Sequence, residues 1–149
     1  MQIRRVEPTC ARRQAEWIVT MEPWLSMGFR AKPLGRWLFR RARAGCVLAA
    51  MDKGSVLGIV VFQPDVLLGT FIALLAMRPQ AAGQGVGRAL VARVERDAFT
   101  HRRWLYVSSD SQNLAAARFY KKLGFARVAR LSDLVCEDRV EILWRKQRP

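Results

Sequence analysis

At 149 residues the chain is long enough to bury one hydrophobic core without disulfide staples, and a single domain over residues 1–149 is expected. Its formal charge of +14, from 26 Lys and Arg against 12 Asp and Glu, favours polyanionic ligands and disfavours a strongly cationic acceptor. No apolar run approaches membrane-spanning length, and the charged start Met1–Val6 is not followed by the apolar stretch of a signal peptide. Cys10, Cys46 and Cys136 are widely spaced, form no C-x-x-C pair, and read as reduced thiols of a cytoplasmic protein. The only histidine, His101, lies among Thr100, Arg102 and Arg103 and reads as a solvated helix-end residue, so neither a Ser-His-Asp triad nor a histidine-bearing metal site is expected.

In chain order, Gln2 to Val6 is a predicted strand. Thr9 is a predicted cap for a helix running to about Met21. Glu22-Pro23-Trp24 interrupts the pattern, and an irregular apolar segment continues to Phe29. Pro33 is expected to open a second helix that ends at Gly45, with Arg36, Arg40 and Arg43 on one solvated side. Cys46 to Met51 and Val56 to Gln63 read as strands joined by the turn Asp52-Lys53-Gly54. A fourth strand runs to Met77, a glycine-rich loop follows, and Arg88 to Phe99 is helix-like. Trp104 to Val107 is a fifth strand. Asn113 caps a helix that stops at Gly124, with Ala116, Phe119, Tyr120 and Leu123 on its apolar side. Ala126 to Leu131 and Val140 to Trp144 are the last two strands.

Two segments carry chemical information. Gly83-Gln84-Gly85-Val86-Gly87-Arg88 stands at a strand-to-helix junction, where glycines let the backbone adopt conformations barred to other residues and let an anion rest on N–H groups at the positive end of a helix. A tight turn that binds nothing fits the glycines equally well. A nucleotide P-loop would need Lys followed by Ser or Thr after its last glycine, and here Arg88-Ala89 stands there. A dinucleotide fingerprint would need Gly-x-Gly-x-x-Gly and an acidic residue after the next strand, where Ser108-Ser109 follows instead. The second segment is Asn113-x-x-Ala116-x-x-x-Tyr120-x-x-x-Gly124-Phe125, in which Tyr120 also fits as a core tyrosine with its hydroxyl at the edge.

Taken together, Leu75-Ala76-Met77-x-Pro79 with Gly83-x-Gly85-x-Gly87-Arg88, followed by the Asn113 to Phe125 block, resemble the GNAT superfamily of acetyl-coenzyme A-dependent N-acetyltransferases over roughly residues 70 to 126. The resemblance implies an α/β fold of the α+β type: a mixed, mostly antiparallel seven-stranded sheet flanked by about four helices. It implies acetyl-CoA as cosubstrate, with no metal. Backbone groups of Leu75, Ala76 and Met77 would pair with the pantetheine arm. N–H groups of Gly83, Gln84, Gly85, Val86, Gly87 and Arg88 would hold the diphosphate, and the Arg88 side chain could add charge there. Asn113 would lie near the thioester arm, a role that competes with its cap. Tyr120 would be the general acid toward the departing thiolate, and the N–H of Met77 would polarise the thioester carbonyl.

The chain also departs from the family pattern. The polar position before the glycines is Ala82, and the positions on strands four and five that often carry a glutamate base are Ala73 and Tyr106. The expected substitute is a water relay near Ser108 and Ser109 in place of a single carboxylate, with Glu22, Asp110, Asp133 and Glu141 as carboxylates from elsewhere. By the resemblance, Glu22 to Phe29 and Asp133 to Arg139 would line the acceptor site. Glu22, Trp24, Phe29 and Ser108 are then the candidate acceptor contacts, although Trp24 and Phe29 also fit as ordinary core filling. The acceptor is a primary amine, with α-amino or similarly weakly basic amines favoured, because an alkyl ammonium stays protonated at neutral pH. Two other classes remain: a coenzyme A-binding module with impaired chemistry, and a basic nucleic-acid or ribosome-associated protein. The latter rests on charge alone, and nothing in the sequence speaks against a homodimer.

Overall fold

The computed structural model describes residues Met1–Pro149. Seven strands are hydrogen-bonded in the order β1-β2-β3-β4-β5-β7-β6. They are β1 (Gln2–Arg5), β2 (Val47–Asp52), β3 (Ser55–Val66), β4 (Gly69–Met77), β5 (Trp104–Asp110), β6 (Ala126–Ser132) and β7 (Val140–Gln147). The helices are α1 (Pro8–Arg13), α2 (Ala15–Ile18), α3 (Ala31–Arg43), α4 (Val86–Phe99) and α5 (Leu114–Lys122). Since α1 and α2 are separated by Gln14 alone, the expected mixed, mostly antiparallel sheet with about four helices is what forms. The chain divides into two compact units, Met1–Phe62 with Leu74–Val94 and Gln63–Ala73 with Glu95–Pro149.

In the first unit β1 runs antiparallel to β2, from Gln2 opposite Met51 to Arg5 opposite Leu48, and β2 runs antiparallel to β3. The β2–β3 turn places Lys53 and Gly54 at φ 47° and 80°, the two left-handed residues that a two-residue hairpin needs to match strand twist. Val47 to Met51 are all buried, so β2 lies inside the unit. The buried side of α3 is Leu34, Gly35, Leu38 and Ala42, and it joins Ala11, Ala15, Ile18 and the inward residues of β2 and β3 in one apolar cluster.

Helices α1 to α3 differ from expectation in three places, each for a local reason. Thr9 does not cap α1: Glu7 is the N-cap residue and Pro8 takes the first helical position, where its missing N–H costs nothing. The helix is interrupted at Gln14, which is buried and turns its side chain on its own neighbours, donating to the Cys10 carbonyl at 2.8 Å and accepting from the Trp17 indole at 2.8 Å. Its N–H bonds the Ala11 carbonyl three residues back, a tighter turn than an α-helix. Likewise α3 opens at Ala31 rather than Pro33, because a proline in the first turn lacks only an N–H that has no helical partner anyway.

In the second unit, β4 pairs in parallel with β5 from Gly69 opposite Trp104 to Ile72 opposite Val107. A Cβ on Gly69 would lie 2.5 Å from the Trp104 carbonyl oxygen, so only glycine permits this approach. β3 enters β4 through Leu67 and Leu68, both at positive φ and both exposed. The Tyr106 hydroxyl donates to the Leu67 carbonyl at 3.1 Å, and Arg102 forms an ion pair with Asp65, so both brace this hairpin. β7 runs antiparallel to β5 on one side and to β6 on the other. Because β5 continues to Asp110 rather than stopping at Val107, its ladder with β7 extends to Asp110 opposite Glu141.

Candidate active site

The glycine loop lies in the first unit. β4 passes its last pairing with β5 at Ile72 and continues to Met77, with Leu74 and Ala76 buried and Leu75 and Met77 partly exposed. Arg78 anchors the strand's end: its N–H bonds the Leu57 carbonyl at 2.8 Å, its Nε bonds the Val56 carbonyl at 2.9 Å, and its guanidinium covers the Trp17 ring at 4.9 Å. A short 3-10 turn, Pro79–Ala81, leads into the loop. Gly83 and Gly85 take φ of 76° and 77°, and a Cβ built on either meets no atom within 4 Å. The loop therefore presents bare, open backbone. α4 begins at Val86, two residues earlier than expected, so Gly87 belongs to the helix's first turn rather than to the loop.

The first helical bond is from the Ala89 N–H to the Gly85 carbonyl at 3.0 Å. The N–H groups of Val86, Gly87 and Arg88 thus precede the helical ladder and carry its positive end. Arg88 is exposed on that turn. The Gln84 side chain donates to the Gln80 carbonyl at 2.9 Å, which braces the loop from within.

The candidate acceptor residues of this unit are differently employed. Glu22 accepts from both the N–H and the hydroxyl of Ser26, so its carboxylate caps a local turn. Trp24 and Phe29 pack against the apolar cluster of the unit.

The second unit gathers side chains. Asn113 is the N-cap of α5, and its Oδ1 accepts from the Ala116 N–H at 3.0 Å, as the sequence suggests. Its own N–H reaches the Asp110 carbonyl at 2.9 Å, so the end of β5 sets the start of the helix. Tyr120, only 6% exposed, is the buried residue of α5. It packs edge-on to Phe119 and Phe125, with ring centroids at 5.2 and 5.7 Å, and beside Trp144 at 6.5 Å. Burial, and then the Glu141 charge, hold the Tyr120 hydroxyl above the ordinary phenol range, so it is a protonated donor at any physiological pH.

Ser108 and Ser109, adjacent in sequence, point to opposite faces of β5. Ser109 is buried and accepts from the Trp144 indole N–H at 2.9 Å, which makes it a structural partner of the β7 tryptophan. On the other face stand Ser108 and Asp110, with Glu141 of β7 directly opposite Asp110. Asp110 is fully engaged: one carboxylate oxygen accepts from the Gln112 N–H at 2.8 Å and the other pairs with the Arg139 guanidinium at 2.8 Å. Glu141 is 5% exposed and takes a hydrogen bond from the Ser108 side chain. Burial raises its pKa above the usual carboxylate value, the Ser108 bond lowers it, Asp110 raises it and Arg139 lowers it, and the balance is upward. Ser108, Asp110 and Glu141 thus share one face of the sheet, whereas Ser109 and Trp144, with the Tyr120 ring beside the indole, lie on the other, and Glu141 reaches Tyr120 only through its charge. The sequence counts Glu141 among four carboxylates without a reason to choose it. The available signal is one acid inside the apolar run Val140 to Trp144, and the β5–β7 register gives it meaning.

No group of three His, Cys, Asp or Glu side chains is placed to hold a metal, and no helix is long and apolar enough to cross a membrane. None of the three cysteines is in a disulfide.

A mixed sheet with a glycine turn opening a helix after β4, and a buried helical tyrosine after β5, defines an acetyltransferase-type fold. The sequence pattern of the Acetyltransferase (GNAT) family matches residues 10–125, and the chain belongs to that family. It is 33% identical over 88 residues to N-alpha-acetyltransferase 30 of Schizosaccharomyces pombe, a match covering 55% of this chain and 58% of that protein. Among solved structures, the ribosomal-protein-alanine N-acetyltransferase of Brucella melitensis superposes with a TM-score of 0.78 at 18% identity, over 99% of this chain and 100% of that one. yncA of Salmonella typhimurium, described as an acetyltransferase with its cofactor acetyl-CoA, superposes with a TM-score of 0.75 at 20% identity, over 99% and 93%.

Proposed function

We propose that the chain is a single-domain, cytoplasmic N-acetyltransferase that moves an acetyl group from acetyl-CoA to a primary amine, with α-amines preferred. The observation that carries this reading is the open backbone at Gly83 and Gly85 leading into the first turn of α4. Such a surface suits a diphosphate, which needs N–H donors, a positive helix end and no side chain in the way. The donors are the N–H groups of residues 83 and 85 to 88, with Arg88 exposed beside them; the expected Gln84 N–H is already bonded to the Ala81 carbonyl at 3.3 Å. Backbone groups of Leu75, Ala76 and Met77 hold the pantetheine arm, the Met77 N–H polarises the carbonyl, and Asn113 lies near the arm while capping α5. When bound, acetyl-CoA supplies the thioester. Tyr120 gives its proton to the departing sulfur, a role that suits a hydroxyl kept protonated by burial.

The preference for α-amines draws on the N-alpha-acetyltransferase among the relatives and on the basicity of the alternatives. An α-amine, with a pKa of about 8, is partly neutral at physiological pH, whereas a lysine amine near 10 is not. Ser108 is the candidate acceptor contact of its unit; in the other unit the candidates Glu22, Trp24 and Phe29 also serve a local turn and the core. Cys10, Cys46 and Cys136, none of them in a disulfide, suit a reducing compartment.

The test is calorimetric titration with acetyl-CoA. Gly85→Val places a branched side chain on the open loop at a φ that such residues avoid. Affinity is expected to fall at least tenfold, while far-ultraviolet dichroism stays unchanged. Equal affinity in the variant removes the loop from the coenzyme site.

A further inference from the structure

We propose that Glu141 is the general base of the reaction, held in place by the Ser108 hydroxyl. The inference rests on the reading of the chain as an N-acetyltransferase. It replaces the water relay expected at Ser108 and Ser109. Ser109 is committed to the Trp144 indole on the opposite face of β5, so it cannot serve. Ala73 and Tyr106, at the strand positions where the family often carries a glutamate, offer no carboxylate, and the Tyr106 hydroxyl is tied to the Leu67 carbonyl. Asp110 is buried, but both of its oxygens are occupied, one by the Arg139 guanidinium. A carboxylate in an ion pair is a weak base. Glu22 is engaged by Ser26, and the Asp133 carboxylate accepts from the Asp138 N–H at 2.7 Å.

Glu141 differs from all of these. It is the second residue of β7, buried on the same face as Ser108, and its charge is felt at the Tyr120 hydroxyl. Its surroundings make it a stronger base than an exposed glutamate. The groups that act on it are Ser108 and Asp110 of β5 and Arg139 of the preceding loop, and its own charge in turn reaches the Tyr120 hydroxyl of α5. β6 sets the apolar Leu131 opposite it.

The proton account closes. Glu141 takes one proton from the acceptor's ammonium, which frees the nitrogen lone pair. The N–C bond forms at the thioester carbonyl carbon and the C–S bond breaks. Tyr120 donates its hydroxyl proton to the sulfur and regains one from the newly acylated nitrogen. Glu141 releases its proton to solvent, so one proton leaves per turnover.

The experiment is a pH profile of kcat/KM at saturating acetyl-CoA, read by thiol release. The acceptor is whichever gives the highest wild-type rate among alanine-, serine- and methionine-starting tetrapeptides and N-α-acetyl-lysine. Wild type is expected to show an acidic limb above the ordinary carboxylate range. Glu141→Gln should lose that limb and roughly two to four orders of magnitude in rate, with acetyl-CoA affinity retained. Glu141→Asp should restore part of the rate. Ser108→Ala keeps the carboxylate but removes a bond that favours its charged form, so the limb should move to higher pH. An unchanged limb and rate in Glu141→Gln overturns the base assignment and leaves the acetyltransferase reading standing. If no acceptor raises thiol release above the amine-free rate while acetyl-CoA binds, the enzyme reading and the base fall together.

Discussion

In the unit that carries the glycine loop, the candidate groups are main-chain N–H groups within residues 83 to 88, Gln84 excepted, and their geometry comes from two local φ angles, 76° at Gly83 and 77° at Gly85. In the unit that carries Tyr120 they are side chains from separate stretches, with Ser108 on β5, Tyr120 on α5 and Glu141 on β7. The two solutions have different vulnerabilities. A backbone device is damaged by adding atoms, because nothing in it can be deleted. A side-chain device is damaged by removing atoms, and each removal leaves the rest of the fold in place. Loss of binding and loss of turnover should therefore separate by unit.

The sharpest separation should come from Tyr120→Phe. It removes one hydroxyl from a ring whose packing against Phe119, Phe125 and Trp144 is otherwise retained. Turnover is expected to fall by roughly two to four orders of magnitude, with acetyl-CoA affinity within about twofold of wild type. Steady-state kinetics beside calorimetry checks this. A parallel loss of affinity would erase the distinction drawn from the Gly85→Val variant, which fails at binding.

Asn113→Ala tests a residue with two candidate duties. As the N-cap alone it stabilises α5 by about 1 kcal/mol, so the variant should melt roughly 3 °C lower. Asn113→Ser keeps a cap and should restore the melting temperature. If acetyl-CoA affinity returns with it, the cap accounts for everything; if affinity stays low, the amide itself serves the coenzyme.

The smallest effect is the most diagnostic. Between the ordinary glutamate pKa of about 4.3 and the raised value of Glu141 in the fold, the unfolded chain has released its proton and the folded chain still holds it. Wild-type stability therefore falls as pH rises through that window, and the loss is complete above it. Glu141→Gln has no such loss. Its melting temperature should equal or exceed that of wild type at pH 4.5 and pull further ahead by pH 8, even as its activity collapses. A purely structural glutamate would give the reverse, a variant that is less stable at pH 8.

The same contrast governs what the sequence disclosed. The glycine turn, the Asn113 cap and the order of strands and helices were readable because each depends on residues a few positions apart. The start of α4 was misplaced by two residues because a valine and a glycine, both poor helix formers, occupy its first turn. The break at Gln14 was missed because it comes from a buried side chain bonding Cys10 and Trp17, not from a helix-breaking residue. The proposed base is out of reach of the sequence for a different reason. Ser108-Ser109 reads as a matched pair until the β5–β7 register assigns them opposite faces. Glu141 gains its significance from residues more than twenty positions away.

The division of the chain also orders its synthesis. The unit with the glycine loop uses no residue beyond Val94, whereas the other is closed only by β7, which ends at Gln147. A chain emerging from the ribosome thus completes the sequence of the loop and its supporting core while Tyr120 and Glu141 are still to be added. Domains and their parts tend to gain structure from the N-terminus forward during translation. A truncated product ending before α5 would carry the glycine loop without Tyr120 or Glu141, the two side chains proposed to move protons.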